Sequence, residues 1–305
     1  MAFLNQNIRT VLFARGALLC VAAIWGSSLV VVKNTANSLP PLFLLAMRFT
    51  LACAVLCAAS FRKLKVVNRD YLKSGAVIGL CLFSAYGIQT IGVLSAMPGK
   101  SAFLSSVYCV IVPFLFWAVE KRQPDRYNIL AAVLCILGIG LASVTEDFSI
   151  SKGDSLALLS GFFFAAHIVS VAKFGKGKDP FIITILQFGY SAAFSWLLSL
   201  ALEHEAIQWS QGALWGGLYL SIVCTGAALL LQNIGQKYTD PSSASIILSL
   251  ESVFGILFSA IFYHEALNLR LVTGFALIFT AVLISETKLS FIRHIRGKRH
   301  AENET

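Results

Sequence analysis

Ten apolar stretches, each about 20 residues long and nearly free of charge, follow one another along the chain, at residues 16–35, 40–61, 72–94, 98–119, 127–145, 154–173, 180–202, 212–236, 241–263 and 268–287. A helix of that length, rising 1.5 Å per residue, crosses a hydrocarbon layer of about 30 Å. With no water there to bond the backbone, a run of this kind has to close its hydrogen bonds internally, as a helix does. The pattern therefore predicts an all-α integral membrane protein of ten transmembrane helices. Very short Pro-containing turns, SAMPGK and YTDP, join spans 3 to 4 and 8 to 9, so each pair is expected to be a tight antiparallel hairpin. No stretch remains for a soluble domain. The amino-terminal segment MAFLNQNIRTVLFAR lacks the short apolar core and small-residue cleavage site of a signal peptide, so the first span is expected to be retained.

Composition agrees. Of 305 residues 57% are hydrophobic and 13% charged, with a mean hydropathy of +0.77, where a soluble domain has roughly 45–50% and ~25%. The formal net charge of +9 does not point to nucleic acid, because the basic residues sit in short clusters between spans, where topology explains them. With the amino terminus inside, nineteen of the 24 Lys and Arg fall on cytoplasmic segments, among them Arg62, Lys63, Lys121, Arg122, Lys176, Lys178 and Lys237. Four fall outside (Lys33, Lys100, Lys152 and Arg270), and Arg48 lies within span 2. This bias predicts a cytoplasmic (inner) membrane protein with both termini cytoplasmic. The basic tail, 291–305, either lies on anionic lipid or is solvated and only fixes topology. All seven cysteines (Cys20, Cys53, Cys57, Cys81, Cys109, Cys135 and Cys224) fall within spans, and no CxxC occurs. They read as packing residues; no metal and no cofactor is expected.

The chain also carries an internal repeat. One fixed shift along the sequence pairs Cys81 with Cys224, Gln89 with Gln232, Ile91 with Ile234, Gly92 with Gly235, Pro98 with Pro241, Ser106 with Ser249, Val110 with Val253 and Leu134 with Leu277. Both copies place Q-x-I-G ahead of a Pro-opened helix. The expected units are a first repeat, 1–145, and a second, 146–290. Each holds five spans, and since five is odd the second enters the membrane from the opposite side. The prediction is two inverted five-helix repeats with a site near the midplane between them.

Four segments carry a family resemblance: AAIWGSSLVVVK, PPLFLLAMRFTLA, PGKSAFLSSVYCVIVPFLFW and LQNIGQKYTDPSSASIILSLESVFGILFSAIFYHE, in spans 1, 2, 4 and 8–9. Together they resemble the EamA-type branch of the drug/metabolite transporter superfamily. The resemblance covers nearly the whole chain. It implies ten helices around a central cavity and carriage of small organic molecules, often export of amino acids, metabolites or drugs, with some relatives importing. One departure stands out: the family commonly has Pro after the Glu of the last hairpin, and Ser252 stands here, which removes the usual cue for a helix break.

Glu251 is the first candidate for function. Counted from the start of span 9 it lies about 13–14 Å deep, near the bilayer centre. A lipid-facing charge there costs several kcal/mol, so its side chain is expected to face the interior or a wet cavity. Arg48, counted along span 2, lies within about 4–5 Å of the same level. The two are expected to pair directly or through a zwitterionic substrate. The plainer alternative makes Glu251 a hydrogen-bonding post and lets Arg48 snorkel to the outer interface. Tyr108 holds the position of Glu251 in the first repeat, a neutral hydroxyl in place of an acid. A carboxylate that takes up and releases a proton in turn would couple transport to protons.

Further candidates are His167, Gln89, Gln232, Asn233, Trp25 and Lys100. For His167 and the amides the competing role is joining helices, and for Trp25 with Gly26, Ser27 and Ser28 it is close helix approach. Lys100 is either a gate or an interfacial anchor, Gln187 is a weaker candidate, and Phe162 to Phe164 read as lipid and core packing. Rival classes fare worse. An intramembrane enzyme needs a catalytic cluster, and His167 and Glu251 stand on different spans without a motif around either. A receptor more often has long loops, and a channel needs polar rings that are sparse here. The sequence reads as a carrier for a small-molecule substrate, with the lipid bilayer as its surroundings.

Overall fold

Proline opens four of the helices, at Pro41, Pro98, Pro180 and Pro241. Its fixed φ suits the first helical turn, where the missing N–H would have had no helical acceptor. Asn68, Ser151, Asp179, Ser210 and Asp240 cap other N-termini or the same ones with their side chains. The structure, a computed structural model, describes residues 8–143, 151–264 and 269–287. Its helices are α1 Ile8–Ala36, α2 Pro41–Ser60, α3 Arg69–Leu94, α4 Pro98–Ser105, α5 Tyr108–Glu120, α6 Arg126–Ser143, α7 Lys152–Phe174, α8 Pro180–Leu202, α9 Gln211–Tyr219, α10 Ala228–Tyr238, α11 Pro241–Leu248, α12 Glu251–Tyr263 and α13 Leu269–Thr287. A π-helical stretch, Leu220–Ala227, joins α9 to α10. Among the described residues there is no strand.

Eight helices, counting α4–α5, α9–α10 and α11–α12 as single rods, are long and apolar enough to cross a membrane. α6 and α13 contain shorter apolar helices, Arg126–Gly138 and Val272–Ala281. The chain is thus a multi-pass integral membrane protein, and its surface agrees. Leu197, Leu200, Trp215, Ile261 and Phe262 are exposed, whereas Arg48, Gln187, Glu251 and many Ser and Thr hydroxyls are buried. Apolar outside and polar inside is the arrangement that lipid favours. The buried hydroxyls mostly bond back to their own helix, as Ser160 does to Ala157, Ser195 to Ser191 and Ser221 to Gly217. The basic tail, 291–305, and residues 144–150 lie outside the described residues.

The repeat is visible in the backbone. The turn between α4 and α5 is held by i→i−3 bonds from Val107, Cys109 and Val110. The turn between α11 and α12 repeats them from Leu250, Ser252 and Val253, the positions that the repeat shift assigns to those three. Lys121 and His264, related by the same shift, close α5 and α12 in the left-handed conformation, at φ 57° and 52°. Ser252 therefore does not prevent the break. A short 3₁₀ turn supplies it, with the hydroxyls of Ser249 and Ser252 bonded to the carbonyls of Ile246 and Ser249. Packing follows the same two-fold rule: α1 against α12 is mirrored by α7 against α4 and α5, α3 against α7 by α10 against α1, and α2 with α8 and α6 with α13 are self-related pairs. The principal contacts thus run between the halves. The π-helical stretch breaks the rule, because residues 77–84, its counterparts, are ordinary α-helix within α3.

Candidate functional site

A tight helix crossing builds the site. A Cβ on Gly26 would lie 2.3 Å from the Cβ of Phe254 and 2.9 Å from the backbone nitrogen of Gly255, and a Cβ on Gly255 would lie 2.7 Å from that of Ala102. The backbones of α1 and α12 therefore touch, with α4 against both. This brings Trp25 and Ser28 of α1 up to Glu251, the first residue of α12.

Glu251 is 8% exposed, and what it faces is internal. It borders a cavity of about 10 Å³, shared with Trp25, Ser28, Tyr86, Gln89, Ala102 and Phe164, about the space that one water centre needs. The rings of Tyr86 and Phe164 meet edge to face at 5.3 Å, and Tyr108 joins Phe164 at 6.1 Å. The Tyr108 hydroxyl stands beside the Glu251 carboxylate but makes no hydrogen bond of normal geometry. Position 108 and its repeat mate 251 thus meet at the pseudo-two-fold axis, a hydroxyl against an acid.

Arg48 is 1% exposed, so it does not snorkel. Its Nε donates to the Thr225 hydroxyl at 3.2 Å, its guanidinium lies 5.1 Å from the centre of the Tyr86 ring, and its Nη2 has no partner. Among the described residues no ion pair joins it to Glu251. The expected direct pair is not made in this conformation, because Thr225 and the Tyr86 ring hold the guanidinium. Tyr86 serves both charges, since it also borders the cavity that Glu251 faces. The π-helical stretch supplies two further anchors: besides Thr225, the carbonyl of Cys224 accepts the Trp25 indole N–H at 3.0 Å. A widened helical turn frees such groups, and π-bulges are frequent at functional sites.

The remaining candidates separate. Gln89 reaches the small cavity and donates to Ser105 at 3.2 Å. His167 is 1% exposed and bonded through Nε2 to Gln187 at 3.1 Å, a link between α7 and α8 away from both cavities. Gln232 is buried with its carbonyl oxygen unpartnered, and Asn233 donates to Thr184 at 2.7 Å. Lys100 is not free: it binds Asp154 at 2.8 Å, fastening α4 of one half to α7 of the other. Asp154 is itself tied into the capping box of α7 with Ser151. Lys100→Ala is expected to loosen this corner roughly 10- to 100-fold in its opening equilibrium, since a charge-assisted bond of this kind is worth about 1.5–3 kcal/mol. Deuterium uptake in peptides covering 96–101 and 152–156 should rise while α8 is unchanged, and equal uptake in wild type and variant would make the bridge idle.

Sequence reasoning misses Tyr86, Phe164 and Thr225. In the sequence Phe164 reads with Phe162 as packing, yet Phe162 is exposed and Phe164 buried, because 100° per residue turns them to different faces. Tyr86 has a usable signal: a tyrosine at mid-depth, not at the interface where tyrosines gather in membranes. A second, larger cavity of about 540 Å³ opens where α5, the α7–α8 connection, α10 and α11 meet, bordered by Phe116, Ile183, Asn233 and Gln236 among others. Its size is that of a small-molecule site.

Known proteins share this architecture. The model of the EamA-like transporter family matches residues 12–144 and again 151–287. An uncharacterized transporter of Archaeoglobus fulgidus is 32% identical over 277 residues, covering 90% of this chain and 85% of that protein. The uncharacterized transporter YoaV of Bacillus subtilis is 22% identical over 279 residues, 88% of this chain and 94% of the other. A crystal structure at 16% identity superposes with a TM-score of 0.74 over 93% of this chain and 98% of its own, a likeness of fold.

Proposed function

Since the chain belongs to the EamA-like transporter family, we propose that it is a secondary carrier moving small organic solutes (amino acids, metabolites or drugs) across the cytoplasmic membrane by alternating access, as export or exchange. It works as ten crossings with both termini cytoplasmic, in two inverted units, 1–145 and 146–290. One observation carries the reading: an acid and an unpaired guanidinium nitrogen are buried inside the helix bundle, the acid at the break between α11 and α12. Buried charge is costly, and in a membrane it usually marks a pathway.

Each charge has a neutral partner under the repeat shift, Tyr108 for Glu251 and Ser191 for Arg48. An amine or proton at Glu251 and a carboxylate at Arg48 give a zwitterion two distinct ends to bind. A proton coupled to the cycle would ride on Glu251. The conformation is read as closed outside and open inside: Lys100 with Asp154, Lys33 with the Ala96 carbonyl, and Glu203 with the backbone N–H groups of Leu42 and Phe43 seal one end. The 540 Å³ cavity opens at the end rich in loop lysines.

Counterflow in proteoliposomes tests the proposal, against labelled amino acids, nucleosides and cofactors. Saturable uptake driven by unlabelled internal solute is expected for one chemical class. Flux that never saturates and shows no counterflow would mean a channel, and a chemically altered solute would mean an enzyme.

A further inference from the structure

Asn233, Gln236 and Thr239 border the 540 Å³ cavity, spaced by three and so on one side of the chain as it leaves α10. They are 3%, 5% and 4% exposed. The Asn233 carbonyl oxygen, both polar atoms of the Gln236 amide and the Thr239 hydroxyl have no hydrogen-bond partner among the described residues. Each such group, left unmet, carries its full desolvation penalty. These four groups have almost no accessible surface, so they lie just behind the wall of a cavity that can hold a small molecule, and a guest reaches them when the side chains turn toward it.

The charge around the mouth decides what kind of guest. Arg122, Lys176, Lys178 and Lys237 line the cavity, and Glu120 is the one acid among the lining residues. Arg122 and Lys178 are engaged, with Asp240 at 3.8 Å and Asp70 at 2.8 Å. Lys176 and Lys237 have no acidic partner among the described residues. Two helices also begin at this wall, α8 at Pro180 and α11 at Pro241, and helix N-termini favour anions. Their capping acids, Asp179 and Asp240, are each held by a cation, Lys63 at 3.0 Å and Arg122 at 3.8 Å. The field left over at the cavity is positive.

We infer that this cavity, which neither Arg48 nor Glu251 lines, is a separate entry subsite for the anionic oxygen group, carboxylate or phosphate, of the carried solute, occupied before that group reaches Arg48. On binding, the Gln236 amide and the Thr239 hydroxyl turn into the cavity to donate hydrogen bonds, and Lys176 and Lys237 supply charge at the mouth. The inference rests on the carrier reading above and adds a substrate class to it. The same chemistry is found in a phospholipid headgroup, so the test has two arms.

The test is thermal unfolding of the purified full chain in dodecyl maltoside. Sodium phosphate or sodium acetate is titrated against chloride at constant ionic strength, and a separate arm receives phosphatidylglycerol. Expected is a saturable rise in the midpoint with phosphate or acetate. Gln236→Leu and Lys176→Gln should each weaken the apparent affinity about tenfold, and Lys176 is exposed enough that its variant should fold. Lys152→Gln, at the far end of α7, serves as control. Soluble anions no better than chloride, or variants that respond as wild type does, overturn the subsite. Protection by phosphatidylglycerol alone assigns the cavity to lipid and overturns it too. Normal counterflow without any anion effect refutes the subsite and spares the carrier, whereas anion binding without counterflow refutes the carrier.

Discussion

Glu251→Gln is expected to cut counterflow by roughly 10- to 100-fold while the protein still folds, because a hydrogen bond to a charged group is worth about 1.5–3 kcal/mol. Glutamine keeps the size and one carbonyl of the side chain but can neither hold a negative charge nor exchange a proton. The surroundings make the loss selective. No cation is paired with Glu251 among the described residues, and the Tyr108 hydroxyl beside it makes no good hydrogen bond. The fold therefore gains little from the charge. Melting within about 1 kcal/mol of wild type is expected alongside the lost exchange. If the carboxylate carries the coupled proton, exchange by wild type should respond to a pH gradient and the residual exchange of the variant should not. Full exchange by a well-folded variant would make Glu251 a structural post. Attention would then pass to Arg48 and Gln89, both of which have a second role in the same region.

Gly26→Leu is expected to prevent folding, and Gly26→Ala to destabilise by about 1–3 kcal/mol, the usual cost of overpacking a tight contact. An added Cβ has nowhere to go: it meets the Phe254 Cβ at 2.3 Å and the backbone of residues 254 and 255 at 2.9 Å. The neighbours are backbone and near-backbone atoms, which cannot swing away as the end of a long side chain could. Relief requires α1 to separate from α12, and that opens the cavity at Glu251. Gly16 offers a control on the same helix, since a Cβ there meets nothing within 4 Å. Gly16→Ala should be neutral or stabilising by up to about 1 kcal/mol, from helix propensity alone. Thermal unfolding in detergent reads both, and similar melting of the two variants would show that the crossing is not tight.

The asymmetry between the halves gives these residues their meaning. Position 108 and position 251 share a backbone turn, hydrogen bond for hydrogen bond, but only one carries an acid. The π-helical stretch is likewise confined to the second half, and it is the part that receives both Trp25 and Arg48. Duplication supplies the frame, and departures from two-fold symmetry supply the chemistry.

Much of the fold was legible in the sequence for a simple reason. Lipid demands about 20 apolar residues per crossing, and eight helices meet that demand, while the predicted spans 127–145 and 268–287 contain shorter apolar helices. The predicted stretches 180–202 and 241–263 coincide with α8 and with α11–α12. The repeat, too, could be read from Q-x-I-G and Pro recurring at one fixed spacing, and it returned as matched turns and matched left-handed caps. Depth was also available, because rise per residue places Glu251 and Arg48 near one level.

Partnership at that level was not available. Rise per residue fixes height but not azimuth, and a pair at equal depth is separated or joined by which way each helix is turned in the bundle. Tertiary packing turned Arg48 to Thr225 and to the ring of Tyr86, sent Lys100 across to Asp154, and gave His167 to Gln187. It also gathered Asn233, Gln236 and Thr239 at one cavity wall with lysines from another loop. The sequence by itself determined the solvent, most of the spans and the repeat, because those follow from length and periodicity along one chain. Only the tertiary structure decided which charge meets which partner, because those contacts depend on rotations and crossings that no single helix encodes.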